Sequence, residues 1–311
     1  MLNRTRRLSV AACSALAILA GATLSACSSS DSAASGDSSN LNIVATTGYL
    51  ADAVRNVAPD ATVTTIVGPG GDPHTYQPST QDINQLREAD LVLWTGLHLE
   101  HQMETQLESL GDSQLAVGEK IEHSRLLPWE DDGTFDPHIW NSPDIWRDVV
   151  TEIGQKLAEI DPDNAADYTA AAKDYGEKIT AAKEKAAAEL KDANPRVLIS
   201  GHDAFNYFGR TFDFEIHATD FVTTDAALSP TEISKLADTI ATKRVPVIFQ
   251  DNQANPQAIQ ALKEAVQSRG WNVEISDAEL FADTLGATAP TDTYLGVFEY
   301  NAHAIAQALN G

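Results

Sequence analysis

Two short segments of the chain set a histidine behind the same pair of residues. Gly70–Ser79 reads GGDPHTYQPS and Asp136–Pro143 reads DPHIWNSP, so His74 and His138 each follow an Asp-Pro pair. Imidazole is a common metal ligand, and its ring must be held in one orientation to bind well. Proline fixes φ and lowers the cost of ordering a loop. The repeat therefore favours two preset metal-binding loops.

Another histidine and an aspartate lie where they can serve the same chemistry. His202, in ISGHDAFNYF, directly follows one predicted strand, and Asp283, in ELFADTLG, follows another. Three imidazoles and one carboxylate without a thiol suit zinc, manganese or cobalt. A single loop histidine is more commonly an ordinary surface residue. These residues alone therefore leave a metal site and exposed histidines both open.

The N-terminus has the pattern of a secretory signal. Residues 1–26 join a basic start to an apolar run that is too short to span a bilayer permanently. The run ends in LSAC at Cys27, which resembles a bacterial lipobox and implies cleavage before Cys27 and lipidation there. Residues 27–40 are typical of a flexible polar tether. A plain signal peptide that ends in cysteine is the alternative. The Arg6-Arg7 pair leaves open whether export uses the Sec route or the twin-arginine route.

The charge and the cysteines limit the classes of partner. The formal net charge is −24 over 311 residues, and it becomes −27 without Arg4, Arg6 and Arg7 of the signal. Such a surface repels nucleic acid and anionic lipid, and it raises the local concentration of cations. Cys13 lies inside the signal and Cys27 at its end. We therefore expect no disulfide and no thiolate metal site.

After the tether, β-branched strands alternate with helical segments, which predicts parallel sheets flanked by helices. In the first half we predict strands at 41–47, 61–67, 90–96 and 114–118, and helices near 48–57, 79–88 and 99–110. In the second half we predict strands at 195–201, 214–220, 245–251 and 271–277, and helices near 203–211, 229–242, 255–269 and 293–309. Ligands bind beyond the carboxyl ends of such strands, so two of these edges can face each other across a cleft.

One long helix is predicted between the halves. Asp161-Pro162 suits its start and Asn194-Pro195 its end. About 30 residues make a rod of about 45 Å; a coiled coil is the alternative, but no leucine heptad is sustained. The fold class is α/β, with two βα lobes that each hold a roughly four-stranded parallel sheet. The predicted organisation is a signal over 1–26, a tether over 27–40, an N-terminal lobe over 41–160, the rigid linking helix over 161–193 and a C-terminal lobe over 194–311.

An ordered set of motifs from Leu41 to Leu309 resembles the zinc- and manganese-binding solute-binding lipoproteins of ABC importers, of the cluster A-I type. The motifs are DPHTYQPS, LVLWTGLHLE, DPHIWNSP, DPDNAADY, HDAFNYFGRTF, LSPTEISKL, and FADTLG followed by TYLGVFEYNAHAIAQAL. The resemblance implies metal ligands at His74, His138, His202 and Asp283. It also implies a receptor that is lipid-anchored to the outer face of the bacterial cytoplasmic membrane and passes its metal to an ABC permease.

The chain departs from this family pattern in three places. Gln77 stands where many members have glutamate, and Asp251, in VIFQDNQ, replaces the usual glutamate, which leaves an accessory role there open. The segment His123–Phe135 is short and holds one histidine. The long histidine-rich loop of some zinc-specific members is therefore absent.

Several other residues are assigned supporting or solvent-exposed positions. The candidates for walling the cleft or orienting a ligand are Tyr76, Trp140 and Asp203. The segment GLHLEHQ carries His98 and His101 three residues apart on a predicted helix, with Glu100 and Glu104 nearby. We predict that the two histidines lie on a solvated face; weak binding of a stray metal ion is the alternative.

The predicted function is that of a receptor and not of an enzyme. Four protein ligands leave no open position for a reacting water, and imidazole-rich sites favour zinc over manganese. A surface adhesin or a metal buffer is the alternative, and a zinc metallohydrolase is a weaker one because the chain has no HExxH motif. We expect a monomer without a nucleic-acid partner. We also expect metal affinity to weaken below about pH 6.5, as histidines become protonated.

Overall fold

The structure is a computed structural model that describes residues 40–129, 133–224, 228–253 and 255–310. The predicted signal peptide, Cys27 and the tether up to Ser39 lie outside the described residues. From Asn40 onward the chain forms one compact unit. No helix in the described part of the chain is both long and apolar enough to cross a bilayer.

The first half is built around a four-stranded parallel sheet. Its strands are β1 (Asn42–Thr47), β2 (Thr62–Val67), β3 (Leu91–Trp94) and β4 (Gln114–Ala116), in the order β2-β1-β3-β4. Its helices are α1 (Gly48–Val57), α2 (Thr80–Glu88), α3 (Glu104–Glu108) and α4 (Pro143–Ile160). The central strands β1 and β3 are almost wholly buried, as expected for a parallel sheet covered on both faces.

The second half begins after a 25-residue helix, α5 (Ala165–Glu189). Its strands are β5 (Val197–Ser200), β6 (Glu215–Ala218), β7 (Val247–Asp251) and β8 (Glu274–Leu280). Its helices are α6 (Asn206–Phe212), α7 (Pro230–Lys243), α8 (Pro256–Gln267) and α9 (Tyr294–Leu309). Among the described residues these strands form two parallel pairs, β5-β6 and β7-β8, instead of one continuous ladder. The predicted α/β class, with parallel sheets and a long helix between the halves, is confirmed.

Helix α4 was not predicted from the sequence, and it packs antiparallel against α5. Ser142 caps its start and Pro143 occupies its first turn. A Cβ added at Gly154 would lie 2.8 Å from the Cβ of Ala172, so glycine allows the two helices to approach closely here. The long helix α5 is therefore paired with α4 in a helical hairpin between the sheets.

The largest buried apolar cluster takes residues from both halves and from α5. Aromatic rings lie at its centre. Tyr49 stacks on Trp140 at a centroid distance of 4.9 Å, and Trp146 lies 5.4 Å from Tyr294. Two smaller clusters fill the rest of each half. The two halves are thus joined by continuous apolar packing as well as by the chain.

Candidate metal centre

Four separate loops bring the predicted ligands to one point. His74 follows β2, His138 precedes α4, His202 follows β5 and Asp283 follows β8. All four residues have no exposed surface. One ligand atom from each residue lies within 4.8 Å of the others. The structure therefore gathers the two residues of the first half and the two of the second into one cluster.

The two Asp-Pro-His turns are ordered by their aspartates. In the first turn, Oδ1 of Asp72 accepts the backbone N–H of His74 at 2.9 Å. In the second, Oδ1 of Asp136 accepts the backbone N–H of His138 at 2.9 Å and lies 2.7 Å from its Nδ1. Asp136 therefore holds the proton on Nδ1 and leaves Nε2 of His138 directed at the cluster. The sequence indicated the prolines as the source of rigidity, but the aspartates also hold both turns, and Asp136 orients the ring of His138.

His202 is positioned by the aspartate that departs from the family pattern. Oδ2 of Asp251 accepts the backbone N–H groups of Gly201 and His202, both at 2.8 Å. The Ser200 hydroxyl donates to the His202 carbonyl at 2.8 Å. Asp251 lies at the end of β7 and is 3% exposed, so this turn is fixed by a buried carboxylate from a neighbouring strand.

Asp283 is positioned through the residue before it. The carbonyl of Ala282 accepts the indole N–H of Trp140 at 2.8 Å and the hydroxyl of Tyr49 at 3.1 Å. The N–H of Ala282 donates to the Asn252 side-chain oxygen at 2.9 Å. These donors and acceptors come from both halves, so Asp283 is held in place by the shared core.

The distances within the cluster fit a small cation. Nε2 of His138 lies 3.3 Å from Nε2 of His74 and 3.1 Å from Nε2 of His202. The Asp283 oxygens lie 3.3 to 3.5 Å from the three Nε2 atoms, yet no donor among the described residues makes a well-formed hydrogen bond to them. A tetrahedral ion bound at 2.0–2.1 Å separates its ligand atoms by about 3.4 Å. Such an ion would supply the partner that this buried carboxylate needs.

The electrostatics of the cluster also favour a cation. Burial opposes ionisation of Asp283, but the charges of His202 and His138 hold the pKa of its carboxyl well below the usual range. Burial opposes a charged His138 ring, but Asp136 and Asp283 outweigh it and raise its pKa to about 10. Burial likewise opposes charge on His202, whose pKa is still raised by Asp283. At His74 burial dominates and lowers the pKa.

The three supporting candidates have different surroundings. Trp140 borders the cluster, with its ring 5.3 Å from that of His138. Asp203 faces a cavity of about 380 Å³ that it shares with Asp136, and burial raises the pKa of its carboxyl. The hydroxyl of Tyr76 donates at 2.9 Å to a carboxylate in the first turn of α2. Tyr76 therefore supports the helix that follows the first Asp-Pro-His turn.

His98 and His101 lie on turns and not on the predicted helix, and Glu100 between them is not solvated. This side chain is completely buried, and it accepts hydrogen bonds from the Thr46 hydroxyl at 2.7 Å and from the backbone N–H groups of Thr95 and Gly96 at 2.9 and 3.1 Å. The segment forms turns in which His98 has a φ of 66°, and α3 begins after them. The partners of Glu100 are mostly backbone groups at strand ends, which a residue pattern does not reveal.

Known proteins are similar to this chain over most of its length. The family model described as zinc-uptake complex component A, periplasmic (ZnuA), matches residues 43–308. The zinc-binding protein TroA of Treponema pallidum is 36% identical over 301 residues, which cover 95% of this chain and 96% of that protein. The manganese-binding lipoprotein MntA of Bacillus subtilis is 33% identical over 285 residues, covering 90% and 93%.

A solved structure extends the agreement to the fold. The periplasmic zinc-binding protein TroA from Treponema pallidum aligns with a TM-score of 0.83 at 33% identity, covering 87% of this chain and 99% of that one. The family model, over residues 43–308, spans both halves and the four loops of the cluster. The chain belongs to the family of zinc-uptake complex component A proteins.

Proposed function

We propose that this protein is an extracytoplasmic receptor that captures one divalent transition metal ion as cargo and delivers it to the permease of an ABC importer. One observation carries the proposal: three imidazoles and a carboxylate from four loops converge without exposed surface, and the carboxylate makes no well-formed hydrogen bond with the described residues. Membership of a metal-uptake family supports the transport role.

In this proposal the ion is bound by His74, His138, His202 and Asp283. Zinc is proposed over manganese because three nitrogens and one oxygen at near-tetrahedral spacing suit zinc, whereas manganese prefers oxygen ligands. A four-coordinate site of protein ligands has no position for a reacting water, which suits a carrier better than a hydrolase. The names of the relatives support zinc and manganese alike.

We further propose that the mature protein is a monomer anchored by lipid at Cys27 to the outer face of the cytoplasmic membrane. The lipobox-like LSAC and the polar segment behind it support the anchor. The name of the MntA relative, a lipoprotein, supports it as well. The lobe boundaries at 160/161 and 193/194 stay predictions within the same proposal.

The binding test uses the metal-free protein without its signal, titrated with Zn²⁺ and Mn²⁺ against a competing chelator. We expect one zinc per chain, bound more tightly than manganese, and a loss of at least about 100-fold in zinc affinity in His138→Ala. His303→Ala is the matched control because that ring is exposed. Unchanged affinity for both metals in His74→Ala and His202→Ala would contradict the ligand assignment.

The transport test is a deletion strain of the native host grown with zinc withheld. We expect growth to be restored by the wild-type chain and by His303→Ala, but not by His138→Ala. Full growth of the deletion strain under zinc limitation would favour an adhesin or buffer over an import receptor.

A further inference from the structure

The loop that carries His74 is tied to the second half of the chain by hydrogen bonds. They join Gln253 Nε2 to the Gly71 carbonyl at 2.7 Å, the Thr224 hydroxyl to Asp72 Oδ2 at 2.6 Å, and the Gly70 N–H to the Thr284 hydroxyl at 3.3 Å. None of these contacts is part of a helix or a sheet ladder. They form only when the loop of the first half lies against the second half.

The contact of Gln253 continues to another ligand. Its backbone N–H donates to Oδ1 of Asp251 at 3.0 Å. The opposite oxygen of the same carboxylate accepts the N–H groups of Gly201 and His202 at 2.8 Å. A chain of hydrogen bonds therefore runs from the loop of His74 through Gln253 and Asp251 to the turn of His202.

We propose that Gln253 and Asp251 are positioning residues that tie the His74 loop to the His202 turn and so determine how long the metal is retained. This inference rests on the proposed function. Neither residue belongs to the four-residue cluster found in the described part of the chain. His74 and His202 come from different halves, so release of the ion requires these two arms to separate. A bond that exists only while they are together must slow that separation.

The side chain of Gln253 is not needed for local folding. Helix α8 begins at Pro256 and has its own cap, because Oδ1 of Asn255 accepts the N–H groups of Gln257 and Ala258. The acceptor of the Gln253 amide is instead a carbonyl 182 residues away in the chain. Its replacement should therefore change the junction between the halves and leave α8 and β7 intact.

The test compares the rate of zinc dissociation from wild type, Gln253→Glu and Gln253→Met. Glutamate keeps the shape of glutamine but lacks the N–H donor, and methionine removes the donor without adding charge. Each protein is loaded with Zn²⁺ and mixed with excess chelating dye. We expect the rate of zinc dissociation to be about fivefold higher in both variants, which is the factor that the loss of one typical hydrogen bond gives. The rate of zinc association should stay within about twofold of wild type. Gln257→Glu is the control, because it adds the same charge at an exposed position of α8.

The outcomes separate this inference from the proposed function. If wild type binds zinc and both Gln253 variants release it at the wild-type rate, the positioning role is wrong and the receptor function stands. If wild type binds neither zinc nor manganese, the proposed function itself fails. Both metal-free variants could instead melt at a lower temperature while their folded fraction releases zinc at the wild-type rate. That result would assign Gln253 to folding and overturn the inference. Asp251→Asn, which loses one of its two acceptor oxygens, should also speed dissociation.

Discussion

Each histidine of the cluster depends on a carboxylate that lies outside the proposed ligand set. Asp72, Asp136 and Asp251 accept the backbone N–H groups of the turns that carry His74, His138 and His202. A backbone held in this way fixes the point from which each side chain leaves its turn, and at His138 the ring itself is also held by Asp136. The turns are therefore set before the ion arrives, which reduces the ordering cost of binding.

The carboxylate of Asp283 should supply much of the binding free energy. Asp283→Asn keeps the shape but removes the charge, and we expect zinc affinity to fall at least about 100-fold, because a buried charge pair is lost. Competition titration measures the change. Asp277→Asn is the matched control, since Asp277 lies exposed on β8. A loss of less than tenfold would mean that the imidazoles alone retain the ion.

Zinc affinity should depend on pH well above the range expected from the sequence. The pKa of His138 is raised to about 10 and that of His202 is also raised, so the metal-free centre carries protons that the ion must displace. Competition with one proton lowers apparent affinity about tenfold for each unit by which pH falls. We expect at least this slope between pH 8 and pH 6 in titrations against a competitor of known pH dependence. A flat profile above pH 6.5 would contradict the raised pKa values.

The same protonation affects the stability of the metal-free protein in a defined direction. A histidine whose pKa is raised in the folded state stabilises the fold. This contribution is full at pH values below the histidine pKa in the unfolded chain, about 6.5, and it is lost as pH rises through the pKa in the folded chain. For His138 the window therefore extends from about pH 6.5 to about pH 10.

At the scale of elements, short apolar runs predicted a strand at or near every strand of the described residues, although β4 had the weaker signal and β8 begins and ends three residues after the predicted 271–277. Helix α4 was not predicted, although the chain carries its signals: the Ser142-Pro143 start and buried apolar residues spaced three and four apart, such as Trp146, Val149, Val150, Ile153 and Leu157. The division of β5 to β8 into two pairs was beyond prediction because it depends on contacts between distant parts of the chain. The burial of Glu100 was beyond prediction because most of its donors are backbone N–H groups. His74 and His138 stood out because each lies in a short Asp-Pro-His motif, and His202 and Asp283 were proposed beside them from their strand-end positions and the family resemblance. The bond from Gln253 to Gly71 leaves no local signal.

The close approach of α4 and α5 leads to a prediction of stability. Valine at position 154 would place Cβ 2.8 Å from the Cβ of Ala172 and 3.3 Å from the Tyr168 carbonyl. We expect Gly154→Val to lower the free energy of unfolding by about 1–3 kcal/mol through overpacking, despite the better helix propensity of valine. Urea denaturation of the metal-free protein measures this loss. Gln155→Val, at the exposed neighbouring position, should change it by less than about 0.5 kcal/mol.

At the scale of the whole molecule, the shared apolar core limits how far the two halves can move. A hinge that opened widely would expose the aromatic contacts of Tyr49, Trp140, Trp146 and Tyr294, which hold α1, α4 and α9 together. Exposing several large aromatic side chains costs far more than one hydrogen bond. Movement of the ligand-bearing loops is therefore the route of lower free energy for metal release.

This difference can be measured by small-angle X-ray scattering of the chain from Asn40 onward, with and without zinc. A compact chain of this length has a radius of gyration of about 19 Å. We expect zinc to change it by less than about 0.5 Å, because loop movement leaves the shared core in place, whereas closure of whole lobes would exceed that limit. Amide hydrogen exchange should show zinc-dependent protection near His74, His202 and Gln253 but not in α4 or α5. Contraction by more than about 1.5 Å, or new protection throughout the helical hairpin, would instead require a hinge between the halves.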